Sequence, residues 1–166
     1  MHYSTSSSLQ LVGFSDSDRD GDPTDRKSTS GLLFMLSEGP ILWSIKKQHT
    51  ISLSSVEAKY RATVNATTQC VWLQGILQEF GVTIDSPKNI WVENKNSINI
   101  STDPVHRKRT KHIEIHMHYI RGLVHDRVIS LQYFPSNEQT VNIFTKNFTE
   151  STFTLLRYLL GVSNGW

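Results

Sequence analysis

The sequence predicts an α/β fold built on a single sheet of mixed strand direction, and three observations carry that prediction. Short apolar runs divided by turn residues fill the first third of the chain, as hairpin-linked strands do. A long stretch follows with small and apolar residues every three or four positions, the period of a helix lying on a sheet. Beyond it, apolar strands alternate with helical segments, the arrangement that joins parallel neighbours. Hairpins first and helix-separated strands later give one sheet with both strand directions.

The elements follow in order. Residues 1–9 are polar and serine-rich and read as a lead-in; residues 10–160 form the domain and 161–166 a tail. Leu11, Val12 and Phe14 suit a buried first strand over about 10–16, and Gly21, Asp22, Pro23 and Asp25 break the chain after it. Gly31–Leu36 is a second strand, Glu38-Gly39-Pro40 a turn, and Ile41–Ile45 a third strand. Thr50–Leu53 is a short separate strand or the frayed end of the third. Ser54 or Ser55 caps a long helix, with Glu57 in its first turn. Ala58, Ala62, Ala66, Cys70, Leu73 and Leu77 give that helix a narrow packing stripe, widened by Trp72, Ile76 and Phe80, and Gly81 stops it. Pro87 precedes a strand over Asn89–Glu93, and Asn96–Ser101 forms a short helix. A longer helix covers His112–His125. Val128–Phe134 is a strand ended by Pro135. Asn137 caps a short helix to about Lys146, and Thr149–Leu160 is a last helix closed by Gly161.

Composition limits the function classes. A chain of 166 residues is one domain, long enough to bury a core without staples. Its formal charge of +2 and pI near 8.7 fall short of the excess of a purely electrostatic nucleic-acid binder, so such binding has to rest on a local patch. The single cysteine, Cys70, excludes a disulfide framework and a Cys-rich zinc site, and its helical setting suggests a buried thiol. No apolar run has the length of a membrane span, and Met1–Ser8 lacks the pattern of a signal peptide. The expectation is an intracellular chain, in cytoplasm or nucleus, neither secreted nor membrane-associated.

Two local runs carry chemistry. Asp16 and Asp18 alternate with Ser15 and Ser17 at the end of the first strand, so both carboxylates face one side, where a hard cation such as magnesium would bind. The same run also reads as an acidic turn. His106-Arg107-Lys108-Arg109-Thr110-Lys111-His112 is the densest basic stretch, suited to phosphate contacts or to a solvated loop, and Lys46 and Lys47 would extend it. His112 and His116 share a helical face, but no cysteine or protease-type glutamate accompanies His106, His112, His116, His118 and His125, so zinc is not expected. Trp43, Trp72, Trp91 and Trp166 read as core or tail groups.

Several pieces together resemble a known family. Gly13-Phe14-Ser15-Asp16-Ser17-Asp18, Asp22–Gly31, Trp43-Ser44-Ile45-Lys46-Lys47-Gln48, Ser54–Tyr60, Arg109–Glu114 and Asn142–Lys146 are similar, in order and spacing, to the ribonuclease H domain of copia-type retrotransposon Pol polyproteins. The likeness spans about Leu9 to Leu160, and Met1–Gln10 resembles the segment after the reverse transcriptase. The resemblance implies a ribonuclease H-like five-stranded mixed sheet with flanking helices, in which Thr50–Leu53 is no strand. It also implies an endonuclease that cuts RNA in RNA–DNA hybrids with two magnesium ions, and an upstream reverse transcriptase as partner. Of the family's four carboxylates it implies Asp16 as the first. The second position holds Lys59, the third Glu93 in place of the usual aspartate, and the fourth Asn142. Asp16 and Glu93 are then the remaining metal ligands, with Lys59 and Asn142 at the two degenerate catalytic positions. Arg107, Lys108, Arg109, Lys111 and His112 are the expected nucleic-acid contacts. The expectation is a copy that keeps the fold with weak or absent cleavage. The rivals are a non-catalytic nucleic-acid-binding module and a domesticated protein-interaction domain.

Overall fold

A computed structural model describes residues 9–18, 25–37, 39–52, 54–102, 111–135, 140–145 and 148–160. Five strands form one sheet: β1 (Leu11–Ser17), β2 (Thr29–Leu36), β3 (Gly39–Lys47), β4 (Lys88–Val92) and β5 (Ile129–Tyr133), in the spatial order β3-β2-β1-β4-β5. The pairs β1–β2 and β2–β3 are antiparallel, while β1–β4 and β4–β5 are parallel. The mixed sheet read from the sequence is therefore the sheet observed. The change of direction falls where helices replace hairpins as connections, because only a crossover can return the chain parallel to its neighbour.

The crossovers are α1 (Ser55–Glu79), then α2 (Lys95–Thr102) and α3 (Lys111–His125). After β5 come η1, a single 3-10 turn over Thr140–Phe144, and α4 (Glu150–Leu159). Ser54 caps α1 by accepting from the Glu57 backbone N–H, and Gly81 follows the helix at φ +73, a conformation that favours glycine. Strand alternation sorts the core into two layers. Leu11, Leu32, Phe34, Ile90, Val92, Ile129 and Leu131 meet Ala66, Cys70 and Leu73 of α1 and Met117 and Ile120 of α3. On the other face Leu33 and Phe14 meet Val141 of η1 and Leu160 after α4.

The structure corrects several expectations. Thr50–Ser52 forms no strand: β3 ends at Lys47, and Leu53 lies outside the described residues. Gly39 and Pro40 open β3 instead of belonging to the turn, which is carried by Ser37 at φ +54. Trp72 is 54% exposed and Phe80 79% exposed, so they do not widen the buried stripe of α1. The sheet reaches only the narrow side of small residues on that helix. Trp43 is likewise a surface group, at 56% exposure, because β3 is an edge strand and η1 covers only β1 and β2 beside it. Trp91 is half-buried, edge-on to Phe134 with ring centroids 5.4 Å apart. Asn137 and Trp166 lie outside the described residues.

One buried charge was not anticipated. Lys88 opens β4 on the α1 side at 2% exposure, and its Nζ donates to Ser86 Oγ at 2.8 Å. Burial lowers its pKa, opposed by nearby Cys70. Burial pushes the Cys70 thiol up to about 11, Lys88 pulling the other way. Among the described residues, no helix is long and apolar enough to cross a membrane.

Candidate functional site

The candidate site lies at the C-terminal ends of β1 and β4. Asp16 is the sixth residue of β1, 2% exposed, on the same face as Phe14. Parallel register pairs Ser15 with Val92, so the next step along each strand sets Glu93 beside Asp16. Lys59, in the second turn of α1, reaches over the sheet end, and its Nζ donates to Glu93 Oε2 in an ion pair. The Glu93 side chain is 5% exposed and that of Lys59 28%, so the pair is largely withdrawn from water. The helix turns about 200° in two residues, and Glu57 accordingly faces elsewhere, paired with Arg61 at 2.8 Å.

Asn142 comes to the same end from the opposite layer. Asp16 pairs with Gly31 on β2, and η1 packs directly over that glycine. A Cβ on Gly31 would stand 2.8 Å from Thr145 Cγ2 and 3.1 Å from Phe144 Cβ, so the missing side chain is what admits η1. There Asn142 is 3% exposed, and its carbonyl accepts the Thr145 N–H at 3.0 Å. Thr145 Oγ1 donates to Asp16 Oδ2 at 2.6 Å. A short charge-assisted bond of this kind fixes the carboxylate's orientation.

The four positions taken from the resemblance therefore meet at one end of the sheet, as an ion pair (Lys59–Glu93) and a bridged pair (Asp16–Thr145–Asn142). Asp18 does not join them. Its Oδ1 accepts the Thr29 N–H at 2.6 Å and its own N–H donates to Thr29 at 3.1 Å, so it closes the β1–β2 ladder. The basic run divides: Arg107, Lys108 and Arg109 lie outside the described residues, while Lys111 and His112 open α3. Among the described residues, no group of three or more His, Cys, Asp or Glu is arranged to hold a metal.

Two residues essential to this geometry had no assigned part. For Thr145 the sequence offers no signal beyond its place three residues after Asn142. Gln48 is a buried amide whose Nε2 donates to Ser30 Oγ at 2.9 Å and to the Ala58 carbonyl at 2.9 Å. Its Oε1 accepts from Ser52 Oγ at 2.8 Å, so one side chain ties β2 to the first turn of α1 at Ala58, the residue before Lys59.

Comparison with known proteins fits this geometry. The retrovirus-related Pol polyprotein from transposon TNT 1-94 of Nicotiana tabacum is 33% identical over 152 residues, 92% of this chain. The chain belongs with the Pol polyproteins of copia-type transposons. It spans 11% of the length of these curated relatives. The fold is that of ribonuclease H. The N-terminal ribonuclease H domain of rv2228c from Mycobacterium tuberculosis superposes with a TM-score of 0.60 over 91% of this chain and 98% of its own, at 10% identity. LC11-RNase H1, solved in complex with an RNA/DNA hybrid, gives 0.56 over 78% and 88% of the two chains, at 13% identity. No family model matches the chain.

Proposed function

We propose that this Pol-derived ribonuclease H-like domain binds nucleic acid, RNA–DNA hybrid first of all, and has lost hybrid cleavage. The observation that carries this reading is the Lys59–Glu93 ion pair beside Asp16. The family's chemistry needs a concentration of negative charge for two divalent ions. Here the four positions hold two carboxylates, one ammonium and one neutral amide. At about 4 Å and an effective dielectric of about 20, unit charges interact by about 4 kcal/mol, and a magnesium ion next to Lys59 would meet that repulsion twice over. The donor set does not fit two magnesium ions.

Binding rests on the basic run Arg107, Lys108, Arg109, Lys111 and His112, with Lys46 and Lys47 in support, and on the hybrid carried by LC11-RNase H1. The domain belongs, in this reading, inside a longer intracellular polyprotein with a reverse transcriptase ahead of it.

The test is a labelled RNA–DNA hybrid incubated with the purified chain in magnesium or manganese. No cleavage above background is expected, and Lys59→Glu combined with Asn142→Asp is expected to gain it. Wild-type cutting that disappears in Asp16→Asn would refute the loss of activity. For binding, log affinity should fall with log salt by about 0.7–0.9 per phosphate contact. A flat dependence would remove the backbone contacts.

A further inference from the structure

β3 is an edge strand of the sheet, and it leaves two large apolar side chains in water. Trp43 is 56% exposed and Ile45 57%; they are two residues apart and so share one face of the strand. That face is the η1 side, since Trp43 lies beside Leu33 and Ile45 beside Gly31. The direction of the backbone groups follows from the pairing with β2. The Gln48 N–H donates to the Ser28 carbonyl at 2.8 Å, and antiparallel bonding alternates, so Lys46 and Ser44 turn their N–H and C=O groups towards β2. Those of Trp43 and Ile45 therefore point outward, where among the described residues no further strand lies. An open edge of this kind is a template for another strand.

We propose that this edge is the interface of a two-fold dimer, in which β3 pairs antiparallel with β3 of a second copy about an axis through Ser44. The strand is self-complementary in that register. Trp43 stands opposite the copy's Ile45 and Ile45 opposite the copy's Trp43, so four exposed apolar side chains come together on one face. An aromatic facing a β-branched residue is a favourable cross-strand pair. The outward N–H and C=O groups of Trp43 and Ile45 join each such pair by a double hydrogen bond. Charge agrees: Lys46 falls opposite Leu42 and Lys47 opposite Ile41, so no like charges meet. Other axes fit less well. One through Lys46 faces ammonium with ammonium, and one through Ile45 sets Trp43 against Lys47. One through Trp43 sets Ile45 against Ile41, the residue left without a β2 partner where the register shifts between Phe34 and Met35. That shift and Pro40 at one end, with the lysines at the other, confine pairing to the middle of the strand. An isologous contact then closes as a pair and does not propagate. So short a contact lies at the small end of the interface range, under about 1,200 Å², and the dimer exchanges with monomer. Neither the candidate site nor nucleic acid takes part.

The experiment is sedimentation velocity of the purified chain, without nucleic acid, over about 10 µM to 1 mM, the range in which small interfaces associate. The average mass should rise from monomer towards dimer with concentration. Ile45→Lys, with an unchanged circular dichroism spectrum, should weaken the association by about tenfold or more, since it puts a charge where two apolar groups meet. Cysteine variants read the register. Opposed residues that share no backbone bond have Cα atoms about 4.5 Å apart, within disulfide reach, so Ser44→Cys should give a covalent dimer under mild oxidation. Exposed Lys46→Cys, displaced from its counterpart by four residues, should not. A monomer mass throughout would overturn the dimer, and so would association left unweakened in folded Ile45→Lys. Cross-linking equal in the two cysteine variants, or absent from both, would overturn the Ser44 axis and the self-complementary edge with it. Should Ile45→Lys fail to fold, the cysteine pair decides alone.

Discussion

Lys59 and Cys70 show how a single side chain sets an observable. Replacing Lys59 with alanine removes an ammonium from a carboxylate that is 5% exposed. Breaking fully buried pairs costs about 3–5 kcal/mol; the partial exposure of Lys59 reduces that to about 1–3 kcal/mol, read from the urea midpoint. Lys59→Met with Glu93→Gln should recover much of the loss, since it removes the charges together. Cys70 gives a pH signature. The folded thiol holds its proton to about 11, above the ordinary 9.0, so the unfolded chain releases it first and stability falls between pH 9 and 11. Lys88 works the other way: its folded pKa is depressed, so the unfolded chain holds the proton longer, and stability rises as pH climbs towards 10.5. Cys70→Ala should abolish the alkaline decline and leave the Lys88 rise, measured by denaturation at a series of pH values. An unaltered profile would show the thiol titrating normally in the folded state. The nearness of Asp16, Lys59, Glu93 and Asn142 at one sheet end was legible because motif order survives in a single sequence. Lys88 was not, because a lysine opening a strand looks solvent-facing until the tertiary packing over it is known.

Helices and strands were readable where one physical period dominates. The stripe of small residues from Ala58 to Cys70 announced α1; of the two serines offered as its cap the structure uses Ser54, and Gly81 follows its end as expected. Its flanks were misread because periodicity says which side is apolar but not how wide the surface beneath it is. Gly31 and η1 make the same point. No local pattern says that Gly31 must be bare; the reason lies in Thr145 and Phe144, more than a hundred residues away. Gly31→Ala should therefore push η1 off β2, costing about 1–3 kcal/mol as an overpacked contact. Because Thr145 orients Asp16, hydrogen exchange of the η1 amides should also accelerate. Unchanged exchange would mean that η1 accommodates the methyl by a side-chain shift alone. Gln48→Ala should cost a comparable amount, by leaving the Ala58 carbonyl and Ser30 hydroxyl without that amide.

Strand order follows from chain order: hairpins dictate the antiparallel half and crossovers the parallel half. What no sequence pattern supplied is the juxtaposition of β3, α1 and α3 that forms a basic groove, because its members are spread from Lys46 to His116. The proposed loss of the two-ion centre has a global readout. A ligand at a hundredfold excess over its dissociation constant stabilises a fold by about 2.7 kcal/mol. Magnesium should leave the wild-type melting temperature unmoved and raise that of Lys59→Glu with Asn142→Asp. A wild-type rise absent from Asp16→Asn would show that a cation still settles there.

The bridge between Leu9 and Ile84 holds the start of β1 against the loop after α1. Seven residues of extended chain, at about 3.3 Å each, separate Leu9 from Asp16. A dye, tether or sensor surface coupled just ahead of Leu9 is thereby kept some 20 Å from the carboxylates, roughly the length of the strand. Immobilising the protein by that end should turn the sheet end that carries Asp16 and Glu93 away from the support.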